Sequence, residues 1–361
     1  MTKRSLAIAA AFAAVALVLA GCSKAEVKAV DFVGVILPDI GTSELDRASS
    51  RWENADRGFL QAAFDAAGVK VDIQNAMGDR AAFATIADQM MAAGAKVLIL
   101  VNLDSESAKA VQDKAATKGV KTIDYDRLTL NGSASYYVSF YSLVVGRIQG
   151  EGIKACLDAA GKMKARIVYL NGAPTDNNAT LLRAGYDSVL RPLIDSKNYT
   201  LVDDQAVPDW NKGKAEVIVE QMLSKAGGRL DAVVAANEGL GLVAIAVLKK
   251  YQLNGKVCVS GQDAGVDGLR AILTGDLSVT VYKAIKAEAE AAATLAIALL
   301  KGAAPANITG SEFNGAVNVP SVLLSPVAIT KANVKDVIAD GFQTREAVCA
   351  GIEMLCKVNG I

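Results

Sequence analysis

Polar side chains that can bond to neighbouring hydroxyl groups recur just after the β-branched runs of this sequence. Aspartate accepts hydrogen bonds, arginine and lysine donate them, and asparagine does both, so such a set can satisfy several hydroxyls on one small molecule. In open α/β sheets, ligands meet residues at the carboxyl ends of the strands, which is where these positions fall. The candidate ligand-binding residues are Arg51, Asp126, Arg127, Asp176, Asn178, Arg183, Asn237, Asp263 and Lys283.

Each of these residues also has an ordinary structural explanation when it is taken alone. Asp126 and Arg127 can form a surface ion pair, and Asn178 can belong to the start of a helix. Asp263 can cap the helix that follows it. Their repeated placement at strand ends favours one shared binding site over unrelated local roles.

The sequence has only two tryptophans, Trp52 and Trp210, and both fall at the same kind of position. A single tryptophan is more often a core residue than a binding residue. Beside the polar set, however, the pair indicates two flat apolar surfaces that can cover the C–H faces of a sugar ring. We therefore add both to the candidate site.

Composition excludes several classes of function. The chain contains no histidine, which excludes His-dependent catalytic triads and His-ligated zinc. Its 38 basic and 38 acidic residues include no basic patch, so nucleic acid is not an expected partner. We assign no catalytic residue, metal or cofactor.

A glycosidase acid/base pair remains an alternative among Asp126, Asp176, Glu238 and Asp263. The many cationic residues that accompany these acids suit binding better than proton transfer.

Short β-branched runs alternate with longer amphipathic segments along the chain, which predicts an α/β fold with parallel sheets. The rhythm restarts after Phe140. Roughly 340 residues exceed what one core usually accommodates, so two lobes with a ligand cleft between them are expected. Strands are predicted at 30–37, 69–74, 96–101, 120–125, 165–170, 201–207, 231–235, 256–260 and 278–282. Helices are predicted at 79–94, 177–190, 213–225, 239–251 and 285–301.

The N-terminus has the pattern of a bacterial lipoprotein signal. Lys3 and Arg4 precede an apolar run over 6–20, which ends in Leu-Ala-Gly before Cys22. We expect residues 1–21 to be removed, Cys22 to be lipidated, and 22–29 to link the anchor to the folded chain. An ordinary secretory signal with a chance cysteine is the alternative.

Four cysteines remain beyond Cys22. Cys349 and Cys356 lie seven residues apart, and an oxidising location permits them to form a disulfide, with two reduced thiols as the alternative. Cys258 lies in a strand-like run and is expected to be buried, and no role is assigned to Cys156.

Several short motifs, in a fixed order between about residues 33 and 329, make the chain resemble the periplasmic pentose- and hexose-binding proteins of the ribose-binding fold type. The resemblance is strongest to the D-xylose-binding branch of that family. Its motifs are Arg51-Trp52, Ile123-Asp-Tyr-Asp-Arg127, Pro174-Thr-Asp-Asn-Asn-Ala179, Leu182-Arg-Ala-Gly185, Asp231-Ala-Val-Val-Ala-Ala-Asn237, Val259-Ser-Gly-Gln-Asp263 and Thr280-Val-Tyr-Lys283.

By that resemblance, the polar set bonds the hydroxyls of a sugar and the two tryptophans sandwich its ring. The implied fold has two Rossmann-like lobes with parallel sheets, joined by a three-strand hinge. The implied N-terminal lobe holds 30–140 plus 284–310, the C-terminal lobe holds 141–283 plus 311–345, and 346–361 forms a tail.

Two positions depart from the family pattern. Tyr141 and Ser142 stand where relatives usually carry Asp-Asn at the first hinge crossing. Glu238 stands where Asp is typical.

The function implied by the resemblance is that of an extracytoplasmic, lipid-anchored, monomeric binding protein. Its partners would be a monosaccharide, D-xylose before others, and the permease subunits of an ABC importer. A multiple-sugar-binding protein or a ligand-presenting subunit of a chemoreceptor is the alternative. A transcription regulator of similar fold would need an N-terminal helix-turn-helix, where this chain has its signal sequence.

Replacing the predicted lipidation site tests the anchor. Cys22→Ala is expected to abolish lipid attachment and release the protein into the soluble fraction, because the acyl chains supply the membrane affinity. Fractionation with metabolic lipid labelling measures this. A variant that stays membrane-bound and labelled would contradict the lipoprotein prediction.

Overall fold

The computed structural model describes residues 31–39 and 51–361, so the predicted signal, the linker and Cys22 lie outside the described residues. None of the helices in these residues has the length and apolar character to span a membrane. The strands are β1 (Phe32–Leu37), β2 (Val71–Asn75), β3 (Ala95–Leu100), β4 (Lys121–Tyr125), β5 (Tyr136–Phe140), β6 (Ala165–Asn171), β7 (Tyr199–Ala206), β8 (Ala232–Ala235), β9 (Cys258–Val259), β10 (Thr280–Tyr282), β11 (Gly310–Phe313), β12 (Asn318–Leu324) and β13 (Val327–Ile329). The helices are α1 (Arg57–Ala66), α2 (Arg80–Ala92), α3 (Ser105–Thr117), α4 (Ser142–Ala159), α5 (Asn177–Asp195), α6 (Lys212–Lys225), α7 (Glu238–Lys250), α8 (Val266–Thr274), α9 (Ile285–Leu300), α10 (Val334–Ala339), α11 (Arg345–Cys349) and α12 (Glu353–Val358).

The first lobe is a seven-stranded sheet in the order β11-β12-β5-β4-β3-β1-β2. Its strands pair in parallel except β11 with β12. Every residue of β1 is buried, as expected for a strand covered on both faces. Separate apolar clusters cover the two faces: Leu60 and Phe64 of α1 pack with α9 on one, and Phe83 of α2 packs with Ala108 of α3 on the other.

The second lobe is built on a four-stranded parallel sheet in the order β7-β6-β8-β9. An antiparallel pair, β10 with β13, continues it through a bridge between Ser260 and Val279. This architecture confirms the predicted α/β, two-lobe fold. The chain passes between the lobes after β5, after β10 and after β12.

One predicted lobe boundary differs from the structure. Residues 311–345 were expected in the C-terminal lobe, but β12 pairs with β5 in the first sheet. The chain enters the second lobe only at β13. The physical reason is that β12 supplies the edge of β5 with a hydrogen-bonding partner. The sequence pattern did not predict β11, β12 or β13.

Close packing of α4 against α5 orients the start of α5. A Cβ on Gly146 would lie 2.0 Å from the carbonyl oxygen of Leu182, and one on Gly185 would lie 2.3 Å from the carbonyl oxygen of Leu143. Glycine is therefore required at both positions, because the two backbones touch. The first turn of α5 is thus held beside the hinge.

Two disulfides stabilise the second lobe. Cys156 of α4 bonds to Cys258 of β9 over a sequence separation of 102 residues. Cys349 bonds to Cys356 within the C-terminal tail, over a separation of 7. Both sulfurs of the tail disulfide are buried, and Arg270 of α8 donates to the Val348 carbonyl at 3.1 Å. The tail therefore packs onto α8.

The long-range disulfide is expected to stabilise the fold more than the short one. Closing a loop of about 100 residues is worth about 4.7 kcal/mol in the chain-entropy model, and a loop of this tail's size about 2.5 kcal/mol. Urea unfolding of Cys156→Ala/Cys258→Ala and of Cys349→Ala/Cys356→Ala measures both losses. Equal losses, or a larger loss from the tail pair, would contradict the expectation.

Candidate functional site

The carboxylate of Asp126 is the meeting point of the two lobes. Asp126 follows β4 in a left-handed conformation, with φ at 61°. Its Oδ2 accepts from Arg51 at 2.9 Å and from Lys283, which follows β10, at 3.3 Å. From the second lobe, the Asn178 amide donates to Oδ1 at 3.2 Å and to the Asp126 carbonyl oxygen at 2.9 Å.

The backbone of Asp126 is held as firmly as its side chain. The hydroxyls of Tyr137 and Ser139, both on β5, donate to its carbonyl oxygen at 3.0 and 2.9 Å. Its N–H donates to the Val138 carbonyl at 2.8 Å. The strand next to β4 therefore fixes where Asp126 points.

Arg51 is clamped by three carboxylates. Its guanidinium donates to Asp56 through two bonds of 2.9 and 2.8 Å, to Glu288 at 2.9 Å and to Asp126. Arg51 precedes a π-helical turn (Trp52–Asp56) and Asp56 ends it, and the wide spacing of this turn places residues five apart on one face. Tyr125 also donates to Asp56, at 2.7 Å.

Arg127 reaches from the first lobe to the second, whereas Asn178 reaches from the second lobe to the first. Its Nε lies 3.1 Å from Oδ2 of Asp176 in the second lobe, and its Nη1 donates to the Asn102 carbonyl at 3.0 Å. Asp176 caps α5 by accepting from the Asn178 N–H at 2.9 Å. The indole N–H of Trp210 donates to the same carboxylate at 3.2 Å.

The two tryptophans lie in different surroundings. The Trp52 ring is buried in the apolar cluster of the first lobe, with the guanidinium of Arg51 at 4.4 Å and that of Arg127 at 5.3 Å from its centroid. The Trp210 ring is half-buried and lies against the backbone after β6, where a Cβ on Gly172 would meet it at 2.0 Å. That they sandwich a ligand ring stays a prediction.

The second lobe contributes Asp263 and Asn237 at strand ends. Asp263 Oδ1 lies 3.6 Å from the Lys283 ammonium, and its backbone has a φ of 110°. Asn237 is half-buried and caps α7 by accepting from the Leu240 N–H at 2.9 Å. Asn237 therefore has an ordinary structural role as a helix cap, in addition to its position after a strand.

Arg183 does not join this cluster in the structure. Its half-buried guanidinium pairs with Asp204 of β7 and lies 5.9 Å from the Tyr169 ring. Its position one turn into α5 turns it toward β7 rather than toward Asp126. We place it apart from the other predicted residues.

The electrostatics separate the carboxyl groups into two kinds. Burial would raise the pKa of Asp126, but Lys283, Arg51 and Arg127 outweigh burial and hold that pKa well below its usual range. Burial and repulsion from Asp126 raise the pKa of Glu288 to about 8 although Arg51 opposes the shift. Asp126 is therefore the stable anion of the cluster, and Glu288 is the group that takes up a proton.

Asp56, Glu288 and Tyr125 belong to this network but were missed by the strand-end reasoning. For Glu288, the alanine-rich run around it in the sequence indicated a buried helix face, but nothing local indicated its contact with Arg51. Asp56 could not have been found, because i and i+5 residues share a face only in a π-helical turn.

Three buried polar atoms around the cleft find no hydrogen-bond partner within residues 31–39 and 51–361. They are Nε of Arg127, Oδ1 of Asp263 and Oε1 of Glu288. Buried polar groups are normally paired. In the same residues, no group of three His, Cys, Asp or Glu side chains is arranged to hold a metal ion.

Comparison with known proteins agrees with this architecture. A family model described as "Periplasmic binding protein domain" matches residues 45–304. The D-xylose-binding periplasmic protein of Haemophilus influenzae is 37% identical over 310 residues, covering 86% of this chain and 91% of that protein. The multiple sugar-binding periplasmic protein SbpA of Azospirillum brasilense is 32% identical over 325 residues, covering 86% and 90%.

A solved structure gives the same result. An ABC transporter solute-binding protein from Clostridium phytofermentans, with bound β-D-glucose, superposes with a TM-score of 0.78 at 27% identity, covering 88% of this chain and 100% of that one. By their names these relatives are sugar-binding or solute-binding proteins, which confirms the prediction that this chain is a binding protein rather than an enzyme. The chain belongs to the periplasmic binding proteins, in the type I sugar-binding group.

Proposed function

We propose that this protein is a lipid-anchored binding protein that captures D-xylose outside the cytoplasm and delivers it to the permease of an ABC importer. The observation that carries the proposal is the cluster around Asp126, where two cations and one amide, drawn from both lobes, converge on one buried carboxylate. Such a cluster suits a small polyhydroxylated ligand held between the lobes.

The three partnerless polar atoms support a ligand with several hydroxyls. Asp263 Oδ1 needs a donor, and Oε1 of the protonated Glu288 needs an acceptor. Arg127 Nε, which forms an ion pair with Asp176 without a hydrogen bond, also needs an acceptor. A sugar hydroxyl supplies one donor and two acceptor sites, so neighbouring hydroxyls can satisfy both kinds of atom. Pairing these atoms removes a desolvation cost of about 1–3 kcal/mol each.

Binding is proposed to close the hinge. Asn178 reaches Asp126, and Arg127 reaches Asp176, only when the lobes are together. A ligand that gains contacts from both lobes binds the closed state more tightly and shifts the population toward it. The closed form would then dock on the permease.

We propose xylose as the ligand, rather than a broader set of sugars, for two reasons. Identity is higher to the xylose-binding relative than to the multiple-sugar-binding one. The Val-Tyr-Lys motif at Lys283 also favours the xylose branch. Because Arg183 pairs with Asp204 in this structure, its expected role in sugar binding requires a different rotamer. Presentation of sugar to a chemoreceptor is compatible with the same site.

A ligand panel tests the proposed function. Residues 23–361, which omit the predicted lipidation site, are titrated with xylose, glucose, ribose, arabinose and galactose by calorimetry, with aryl glycosides to monitor turnover. Tightest stoichiometric binding of xylose is expected, with a ligand-dependent rise in melting temperature. If glucose or galactose binds more tightly than xylose, the protein is a multiple-sugar-binding protein rather than a xylose-binding one. If no sugar binds, the proposal is overturned.

Removing the half-buried aromatic surface is expected to weaken binding. Trp210→Ala should cost about 1–3 kcal/mol of sugar affinity, because ring burial against the sugar is lost. The sugar-free melting temperature should change little. Trp52→Ala serves as a comparison, since loss of that buried ring should lower stability as well. Unchanged affinity with a large stability loss in Trp210→Ala would make Trp210 a core residue.

Removing the second-lobe carboxylate is expected to weaken binding further. Asp263→Ala removes one of the two carboxylates that pair with Lys283, together with the acceptor proposed for the sugar hydroxyls. This loss costs about 2–5 kcal/mol and lowers affinity roughly thirtyfold or more. Asp267→Ala, an exposed acid in the first turn of α8, is the matched control and should bind like the wild type. Wild-type affinity in Asp263→Ala would remove Asp263 from the site.

A further inference from the structure

Glu238, the first residue of α7, is a buried acid that the proposed sugar contacts do not use. Its exposed fraction is 5%. Its Oε2 accepts from the Gly265 N–H at 2.8 Å, and its Oε1 is hydrogen-bonded to the hydroxyl of Thr280 on β10. One carboxyl group therefore ties together the start of α7, the loop before α8 and β10.

Three glycines leave the space that this carboxyl group occupies. A Cβ on Gly268 would lie 2.0 Å from its Cδ, and one on Gly261 would lie 2.9 Å from its Cγ. A Cβ on Gly265 would lie 3.2 Å from Oε2. The fold is therefore shaped around a side chain of this length at position 238.

Each segment that Glu238 holds carries a candidate ligand residue. Asn237 directly precedes it, Asp263 lies two residues before Gly265, and Lys283 lies three residues after Thr280. The loop at Asp263 needs support, because Asp263 and Ala264 both have positive φ, at 110° and 53°. Its Gly265 N–H is held by the Glu238 carboxyl.

We propose that Glu238 is a positioning residue that fixes Asn237, Asp263 and Lys283 in one geometry for the sugar. The proposal rests on the proposed sugar-binding function and adds to it a residue that does not touch the ligand. Its action is mechanical: the carboxyl group adds a bridge between two segments that also meet through backbone hydrogen bonds and through the Asp263–Lys283 ion pair.

The protonation state of Glu238 gives this role a pH signature. Burial raises its pKa to about 8, Thr280 and the Gly265 N–H oppose the rise, and repulsion from Asp263 adds to it. Among the other charged groups nearby, Lys283 pairs with Asp263. The Lys212 side chain, from α6, approaches Gly239. Asp267 of α8 is exposed to solvent.

The raised pKa of Glu238 determines whether sugar affinity rises or falls with pH. Below about pH 8 the folded protein keeps Glu238 neutral, so the bridge places no second anion beside Asp263. As pH rises through that value, Glu238 ionises and repels Asp263 in a buried site. Sugar affinity should therefore fall with rising pH in the wild type.

Four variants test the proposal by sugar titration. Glu238→Gln mimics the neutral acid, since its amide can accept from Gly265 and donate to Thr280, and should keep affinity within about threefold. Glu238→Ala removes the bridge and should lose roughly tenfold or more. Gly268→Ala should cause a similar loss by displacing the carboxyl group. Glu220→Gln, on the exposed face of α6, is the matched control.

The pH profile distinguishes positioning from general stability. Between about pH 7 and pH 9, affinity should fall less in Glu238→Gln than in the wild type. Glu288 also has a pKa of about 8, so the same pair is compared in a Glu288→Gln background. Identical pH profiles with and without Glu238, or wild-type affinity in Glu238→Ala, would overturn the inference. A wild type that binds no sugar would instead overturn the proposed function.

Discussion

The structure depends on one buried anion, Asp126, whose hydrogen-bond partners come from both lobes. Arg51 contributes from the first lobe, Asn178 from the second, and Lys283 from the crossing between them. A charge removed from water must be paired, and removing one partner of a buried pair costs about 3–5 kcal/mol. The contacts that satisfy Asp126 are therefore also contacts that hold the two lobes together.

A supporting layer of acids surrounds the groups proposed to touch the ligand. Asp56 and Glu288 hold Arg51, and Glu238 holds the loop of Asp263. The layer is not uniformly ionised, because burial raises the pKa of both glutamates to about 8 while nearby cations lower that of Asp126. Neutral acids can orient their neighbours without adding repulsion to a site already rich in carboxylates.

The elements that carry these groups are held by contacts far from the cleft. Glycines at 146 and 185 let α4 and α5 touch, which sets the position of Asn178. The Cys156–Cys258 disulfide joins α4 to β9, the strand that leads to Asp263. The tail disulfide packs on α8, just beyond the Asp263 loop. These contacts fix, within the second lobe, the elements that carry Asn178 and Asp263.

The alternation of strands and helices determined the α/β class and the two lobes, because periodicity and strand-end chemistry are local properties. The same rule indicated Asp126, Asp263 and Lys283, which the structure brings into contact. Tertiary structure alone decided the rest. The pairing of β12 with β5 places 311–324 in the first lobe, Arg183 pairs with Asp204, and Cys156 forms a disulfide with Cys258. Asp56 joins the site through a π-helical turn. Glu288 joins it from a helix, 237 residues beyond its partner Arg51. These outcomes depend on contacts between distant segments, and local sequence patterns carry no information about which distant segments meet.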